Sequence, residues 1–410
     1  MDDPSAPIPQ RILRPLTESA IFLVLTIDEG GEDGVREVLD GYTGTLRTVR
    51  SRIVAADLGC VVGIGARAWS RLFSGPVPQG LHTFPALSGT VHDAPSTPGD
   101  LLFHIRAHRM DMCFELAGQL MRRLRPHTTV QDEVHGFRYF DSRDVIGFVD
   151  GTENPEGREA QGFVLLDEEA DPDFAGGSYV TVQKYVHDME GWEQLTVEHQ
   201  ADAIGRHKWD NVEMDDDTKP ADSHTALTVI EDVDGTQLKI VRDNMPFGSA
   251  AADEFGTYCI GYSRDLDVTE QMLRNMFLGD PEGTNHDRLL DFSSALTGTH
   301  FFVPTLDFLD DIPSAPGEGD DDDATPAAGA PDTGPSDPSP SDPAPSDPAL
   351  SDPSPLDPAE GSLRIGSLAP AAPNDPGPDD PARHDPDLRV PAPHDSAPHN
   401  PGTTGTKETP

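Results

Sequence analysis

Residues Ala20–Asp28 read AIFLVLTID, a compact apolar run of strand length. That length suits a β-strand. Working outward, Val35–Arg52 carries Val35, Val38, Leu39, Tyr42, Leu46 and Val49 at spacings of one, three and four, which predicts a helix. Leu58–Ile64 and Leu101–Arg106 read as two more short strands. Met110–Leu124 reads as a helix with Met110, Cys113, Leu116, Leu120 and Leu124 on one face, and Thr129–Phe140 as a fourth strand. A similar order recurs downstream. Ser178–Val186 (SYVTVQKYV) is a strand, Met189–Ile204 a helix, Ala226–Val229 and Gln237–Arg242 short strands, Gly256–Tyr262 a strand and Val268–Phe277 a helix. Two such sets predict an α+β fold of two ferredoxin-like halves, each an antiparallel sheet with helices on one face. The expected halves are residues 1–155 and 156–312.

From Pro313 the composition changes. Of 40 prolines in the 410-residue chain, 24 lie at or beyond this point, Ser-Asp-Pro recurs every five residues from Ser336, and no aromatic residue follows Phe308. Such a segment buries too little apolar surface to offset the entropy of ordering it, so 313–410 is expected to be a disordered spacer. The chain has 29 basic against 73 acidic residues and a formal net charge of -44. That balance argues against nucleic acid and against anionic membrane surfaces, and it favours the attraction of cations. No stretch approaches the roughly 20 apolar residues that span a bilayer. The three cysteines, Cys60, Cys113 and Cys259, are odd in number and show no CxxC spacing, so a reducing cytoplasm is the simplest location. The N-terminal residues lack the pattern of a signal peptide.

Three segments carry chemistry. Gly147-Phe148-Val149-Asp150-Gly151-Thr152-Glu153-Asn154-Pro155 sets an acid between an apolar run and a turn, and Gly151 permits close backbone approach. Alone, it reads most simply as a β-turn with a capping aspartate. His224 follows in Asp222-Ser223-His224-Thr225-Ala226, and 18 residues later comes Arg242-Asp243-Asn244-Met245-Pro246-Phe247-Gly248. The third segment is Asp287-Arg288-Leu289-Leu290-Asp291.

In this order the segments resemble the dye-decolourising peroxidases, in their compact B-type subgroup, over roughly residues 10 to 310. GxxDG falls on Gly147–Gly151, TENP on Thr152–Pro155, and RxNMPFG on Arg242–Gly248. The resemblance implies a dimeric α+β barrel-like arrangement of the halves, haem b bound mainly by the second, and peroxide-dependent oxidation of a small-molecule reductant such as a dye or phenol. It places the axial iron ligand at His224 and the distal pair at Arg242 and Asn244. The chemistry suits these types. An imidazole leaves the opposite face of an iron open, and an acid on its other nitrogen raises its basicity. Asp287 and Asp291, four apart on an expected helix, are the two candidates, with Asp287 favoured by the family pattern. Asp150 would move the proton of hydrogen peroxide, and Arg242 would stabilise charge on the departing oxygen. Arg206 is a candidate partner for a haem propionate, or else a solvated arginine at a helix end.

The other histidines, His82, His92, His104, His108, His127 and His135, show no metal-ligand spacing and are expected to be surface or packing residues. The alternative to a peroxidase is a haem-storage or porphyrin-modifying protein on the same fold. Within the spacer, Gly361–Leu368 (GSLRIGSL) holds Leu363, Ile365 and Leu368 in a stretch otherwise almost without large aliphatics. It looks like the peptide by which cargo enters an encapsulin shell, a few apolar anchors offered to a groove. The expected setting is therefore cytoplasmic, inside such a shell, as a homo-oligomer.

Overall fold

The computed structural model describes residues 6–279 and 281–317, so the docking peptide at 361–368 and the spacer from residue 318 onward lie outside the described residues. Ten strands form one antiparallel sheet: β1 Ser19–Ile27, β2 Gly59–Gly65, β3 Leu101–Ala107, β4 Thr128–Phe137, β5 Ser178–His187, β6 Val241–Arg242, β7 Met245–Ser249, β8 Glu254–Ser263, β9 Ser293–Ala295 and β10 Thr299–Val303. Their order is β6-β8-β5-β10-β2-β3-β1-β4, with β7 also pairing with β8 and β9 with β5. The first four strands and the last six are thus contiguous blocks, joined where Phe301 and Phe302 pair with Gly65 and Ile64. This is the α+β, antiparallel architecture expected.

The sheet curls until its ends meet. β7 lies against β4, and a Cβ on Gly136 would come within 2.6 Å of the Met245 Cβ. Period-two alternation then separates an inside from an outside. Ala20, Phe22 and Val24 of β1, Leu102 of β3, Val180 and Val182 of β5, Met245 and Phe247 of β7, and Tyr258, Ile260 and Tyr262 of β8 share one buried cluster inside the curl. Phe22 stacks on Tyr258 with ring centroids 4.2 Å apart, across two strands from different blocks. The alternate residues Ile21, Leu23 and Leu25 of β1 and Leu101, Phe103 and Ile105 of β3 face outward. There they pack against the helices Glu32–Asp40, Tyr42–Arg50 and Met110–Leu124.

Several expected elements differ. The helix read over Val35–Arg52 is two helices broken at Gly41, and that read over Met189–Ile204 is two, Met189–Glu193 and Val197–Ile204. The second break comes at Thr196, whose hydroxyl caps the new helix by accepting from the His199 N–H. Of Ala226–Val229, read as a strand, Ala226–Thr228 belong to the helix His224–Thr228 and Val229 follows it in extended conformation, because so short a run of β-branched and small residues is ambiguous in isolation. At the end of the described chain, the Ser314 carbonyl accepts from the Ser74 N–H and hydroxyl, and Ile312 packs against the core. Among the described residues no helix is long and apolar enough to cross a membrane.

Candidate active site

The outward face of the later strands is not covered as tightly as that of the first block. Thr181, Gln183, Tyr185 and His187 of β5 and Thr257, Cys259 and Gly261 of β8 line a cavity there. Its far walls come from Ile146–Glu153, the helix Leu266–Leu278 through Met272, Leu273 and Met276, and the residues Leu289 and Leu290. His224, Asp150, Gly151, Arg206, Arg242 and Asn244 all line this one cavity. Asp287 stands behind it, fully buried.

Two histidines reach the cavity, and their hydrogen bonds distinguish them. His187 engages both ring nitrogens, Nδ1 with the Ser293 hydroxyl at 2.8 Å and Nε2 with the Thr257 hydroxyl at 2.9 Å. His224 engages Nδ1 alone, with Asp287 Oδ2 at 2.7 Å, which leaves Nε2 for a ligand. Asp287 is fixed in turn. Its other oxygen accepts from the Leu289 N–H at 2.9 Å and caps the 3₁₀ helix Arg288–Asp291. One carboxylate thus both orients the imidazole and caps the turn that follows it. Asp291 points elsewhere and accepts from His92 and His286, each at 2.9 Å. The expected α-helix would have put the two acids on one face. The observed 3₁₀ turn, at three residues per turn, rotates them about 120° apart.

Gly147 and Gly151 both have positive φ, 95° and 73°, so the GxxDG turn needs residues without a Cβ. The Gly151 N–H donates to Asp150 Oδ1 at 2.6 Å and holds the carboxylate at the turn. The buried Trp192 indole donates to the Ile146 carbonyl at 2.9 Å and pins the start of the same loop. Asn154, from the TENP continuation, accepts from the Arg242 N–H at 2.9 Å and donates to the Arg242 carbonyl at 2.7 Å. The Arg242 guanidinium Nε is buried without a hydrogen-bond partner. Asn244 accepts the Ile260 N–H on its Oδ1 at 2.8 Å and lines the cavity.

Sequence reading missed why Arg242 and Asn244 share a direction. Asp243 between them points into the barrel, 1% exposed, and pairs with the buried Arg106 of β3. Arg106 also donates to the carbonyls of Arg11 and Ile12 at 2.8 and 2.7 Å. Alternation then sends both neighbours of Asp243 outward to the cavity. No local signal links Arg106 to Asp243, because the pairing spans the two blocks of the sheet.

Arg206 is buried rather than solvated. Its Nη1 lies 3.0 Å from both Glu153 and Glu213, and the group also donates to the Asn211 carbonyl. Asp144 sits in the wall beside His187. Burial alone would raise its carboxyl, yet the hydrogen bond and charge of His187, the Thr257 hydroxyl and the Ile146 N–H bring it below the ordinary range. Burial drives the Cys259 thiol, which also faces the cavity, well above its usual range, so no thiolate competes with the imidazole. Of the tryptophans, Trp69 and Trp192 are core residues and Trp209 is exposed. His104 packs inside the barrel as expected, stacked on Phe22 and bonded to the Tyr262 hydroxyl. His82 and His92 each converge with another histidine and an acid, a grouping that their spacing in the chain does not display.

A haem fits these residues. The cavity offers one imidazole free at Nε2 and oriented by a buried carboxylate, walls of isoleucine, leucine and methionine for a flat apolar ring, and a guanidinium nitrogen that lacks a partner.

Comparison with known proteins gives the same direction. Residues 9–138 match the family model described as Dyp-type peroxidase, N-terminal, and residues 141–308 the one described as Dyp-type peroxidase, C-terminal. A dye-decolorizing peroxidase of Rhodococcus erythropolis is 61% identical over 309 residues, covering 75% of this chain and 90% of the relative. The cryo-EM structure of the encapsulated DyP-type peroxidase from Mycobacterium smegmatis aligns with TM-score 0.74 and 57% identity over 76% of this chain and 100% of that one. A DypB variant of Rhodococcus jostii RHA1 in complex with heme aligns with TM-score 0.72 and 53% identity over 74% of this chain and 98% of that one.

Proposed function

The chain belongs to the Dyp-type peroxidase family and is a haem-dependent peroxidase, which reduces hydrogen peroxide and oxidises organic substrates, and from that premise we propose how its own residues divide the work. His224 Nε2 would hold the iron of haem b, which supplies the redox chemistry once bound. Asp287 keeps the ring in the tautomer that presents Nε2 and adds electron density to it. Arg206 and Gly151 line the cavity, where the cation would suit a propionate of the haem and the glycine would allow it close approach.

Peroxide needs a proton taken from one oxygen and delivered to the other. Asp150 accepts the first and returns it to the departing oxygen. Arg242 stabilises negative charge on that oxygen as the bond stretches, with a guanidinium nitrogen not already committed to another acceptor. Asn244 donates from its amide nitrogen and orients peroxide, since its carbonyl is occupied by Ile260. The observation that carries this reading is the shared cavity of Asp150, Arg242 and Asn244 with the His224–Asp287 pair. It also favours a peroxidase over haem storage, which requires neither a proton carrier nor a charge-stabilising arginine. Stopped-flow absorbance tests it. Asp150→Ala and Arg242→Leu should each slow the peroxide-induced Soret change at least tenfold while haem stays bound. Wild-type rates in both variants would remove the assignment.

The same reading extends to location. The Mycobacterium smegmatis relative is encapsulated, and Leu363, Ile365 and Leu368 supply three apolar anchors on a long acidic spacer. Each such side chain contributes roughly 1.5–3 kcal/mol when fully buried, before ordering costs, and repeated sites on a closed shell add avidity. The peptide then loads a homo-oligomeric enzyme into an encapsulin shell in the cytoplasm. Co-expression with a shell protein and size-exclusion chromatography tests this. Changing all three residues to Ser should move the enzyme out of the shell fraction, and equal loading of that variant would leave the segment as a plain extension.

A further inference from the structure

Behind the cavity wall, on the other side of the helix Leu266–Leu278, three side chains from distant segments meet. Glu270 is on that helix, His300 on β10, and His82 in the loop after the helix Ala66–Leu72. His82 Nε2 is 2.5 Å from Glu270 Oε1, and His300 Nε2 is 3.3 Å from the same oxygen. Glu270 and His300 are buried, whereas His82 reaches solvent.

The three donor atoms all lie within 4.8 Å of one another. His82 Nδ1 lies 2.8 Å from the Gly80 carbonyl, which can only accept, so Nδ1 carries the ring hydrogen. In the neutral ring Nε2 is then a lone pair, aimed at a carboxylate oxygen that is also an acceptor. A proton or a metal ion between the two satisfies both, and the convergence of a third donor favours the metal. His300 has its other nitrogen tied to the Thr181 hydroxyl at 2.9 Å, which fixes its ring with Nε2 turned to the same point. An outer hydrogen bond on each imidazole is the support that metal-bound histidines carry.

We propose that His82, Glu270 and His300 form a binding site for a divalent transition-metal ion of the zinc class, separate from the haem. Two imidazoles and one carboxylate are a borderline donor set, suited to zinc and leaving one position for water on the exposed His82 side. Tetrahedral zinc places donors about 3.3 Å apart. The His300–Glu270 pair already has that separation, and the solvent-facing His82 ring supplies the small outward shift the other pair needs. Bound there, the ion clips the His82 loop to a helix whose Met272, Leu273 and Met276 line the haem cavity. The strongly acidic chain raises the local concentration of such cations. Sequence spacing hides the site, because His82 and Glu270 are 188 residues apart.

The test uses haem-loaded full-length protein, equilibrated with zinc, dialysed and analysed for iron and zinc together. The wild type should retain about one zinc per chain beside its iron and gain thermal stability with added zinc. His82→Ala removes a solvent-facing ligand with little risk to folding, and Glu270→Gln keeps the shape of the buried one. Each should weaken zinc binding roughly tenfold or more and abolish the thermal gain. His92→Ala, in the more exposed group His92–His286–Asp291, should change neither. The proposal is overturned if wild-type protein retains no zinc, if His82→Ala retains it equally, or if His92→Ala alone loses it.

Discussion

Asn154 grips the backbone of Arg242 from both sides, accepting its N–H and donating to its carbonyl across 88 residues of chain. The Asp150 turn and the Arg242 strand are therefore one mechanical unit. Asn154→Ala should leave haem bound, slow the peroxide-induced Soret change about tenfold, and cost about 1–3 kcal/mol of stability from two unmet backbone groups. Asn154→Asp, which keeps the acceptor and loses the donor, should fall between. A wild-type rate in the alanine variant would show that Arg242 holds its place unaided.

The His224–Asp287 pair predicts two distinguishable failures. His224→Ala should lose stable haem binding or alter the Soret band grossly. Asp287→Asn should keep haem but raise the ferric/ferrous potential, because a neutral partner no longer favours the more oxidised iron. Spectroelectrochemical titration reads this directly, and an unchanged or lower potential would contradict the role given to Asp287.

Burial of the Arg106–Asp243 pair makes it costly to break from one side. Burial lowers Arg106 to about 10, which leaves it charged at neutral pH. Asp243→Asn should then strand a buried cation and lose about 3–5 kcal/mol in denaturant unfolding, far more than a surface change. A loss below 1 kcal/mol would mean that water or another group compensates.

Asp144 gives the acid limb of stability. Its folded pKa lies below the ordinary carboxylate value, so it contributes stability that is present above that value and lost as pH falls through the lowered one. Unfolding midpoints in urea should therefore decline below pH ~4, and Asp144→Asn should lose part of that slope. Parallel curves for the two proteins would assign the slope to other acids.

Much of the fold was legible because it rests on local pattern. Met110–Leu124 has the residue limits expected, and the strands near Ala20, Leu58, Leu101, Ser178 and Gly256 lie within a residue or two of those read from their apolar runs. The helix breaks at Gly41 and Thr196 were not legible, since apolar spacing continues across them. The strand Met245–Ser249 was hidden inside a motif read only for its chemistry. In the site, the residue types and order of Asp150, His224, Arg242 and Asn244 were readable in the chain. Asn154, Arg106 and the His82 cluster were not, because each acts through a partner brought near only by the closed sheet.

The last described residues make a contact that composition does not reveal. A chain ending at Gly317 should keep its haem and its melting temperature. One ending at Pro313 loses the Ser74–Ser314 bonds and should be about 1 kcal/mol less stable. Loss of haem in the longer form would place part of the cofactor site in the spacer.

The inward turn of Asp243 makes the active site depend on odd and even. A slip of one residue along β8 would present Asp243 to the haem cavity and bury Arg242 and Asn244 in an apolar barrel. The cavity would then hold an anion where peroxide cleavage requires a cation. Arg106 penalises that slip from the other half of the molecule, since only one parity gives its buried charge a partner. Among the described residues the first block of the sheet contributes no wall to the cavity, yet it decides which side chains the second block shows to it. Chimeras that exchange one block must therefore carry Arg106 and Asp243 together.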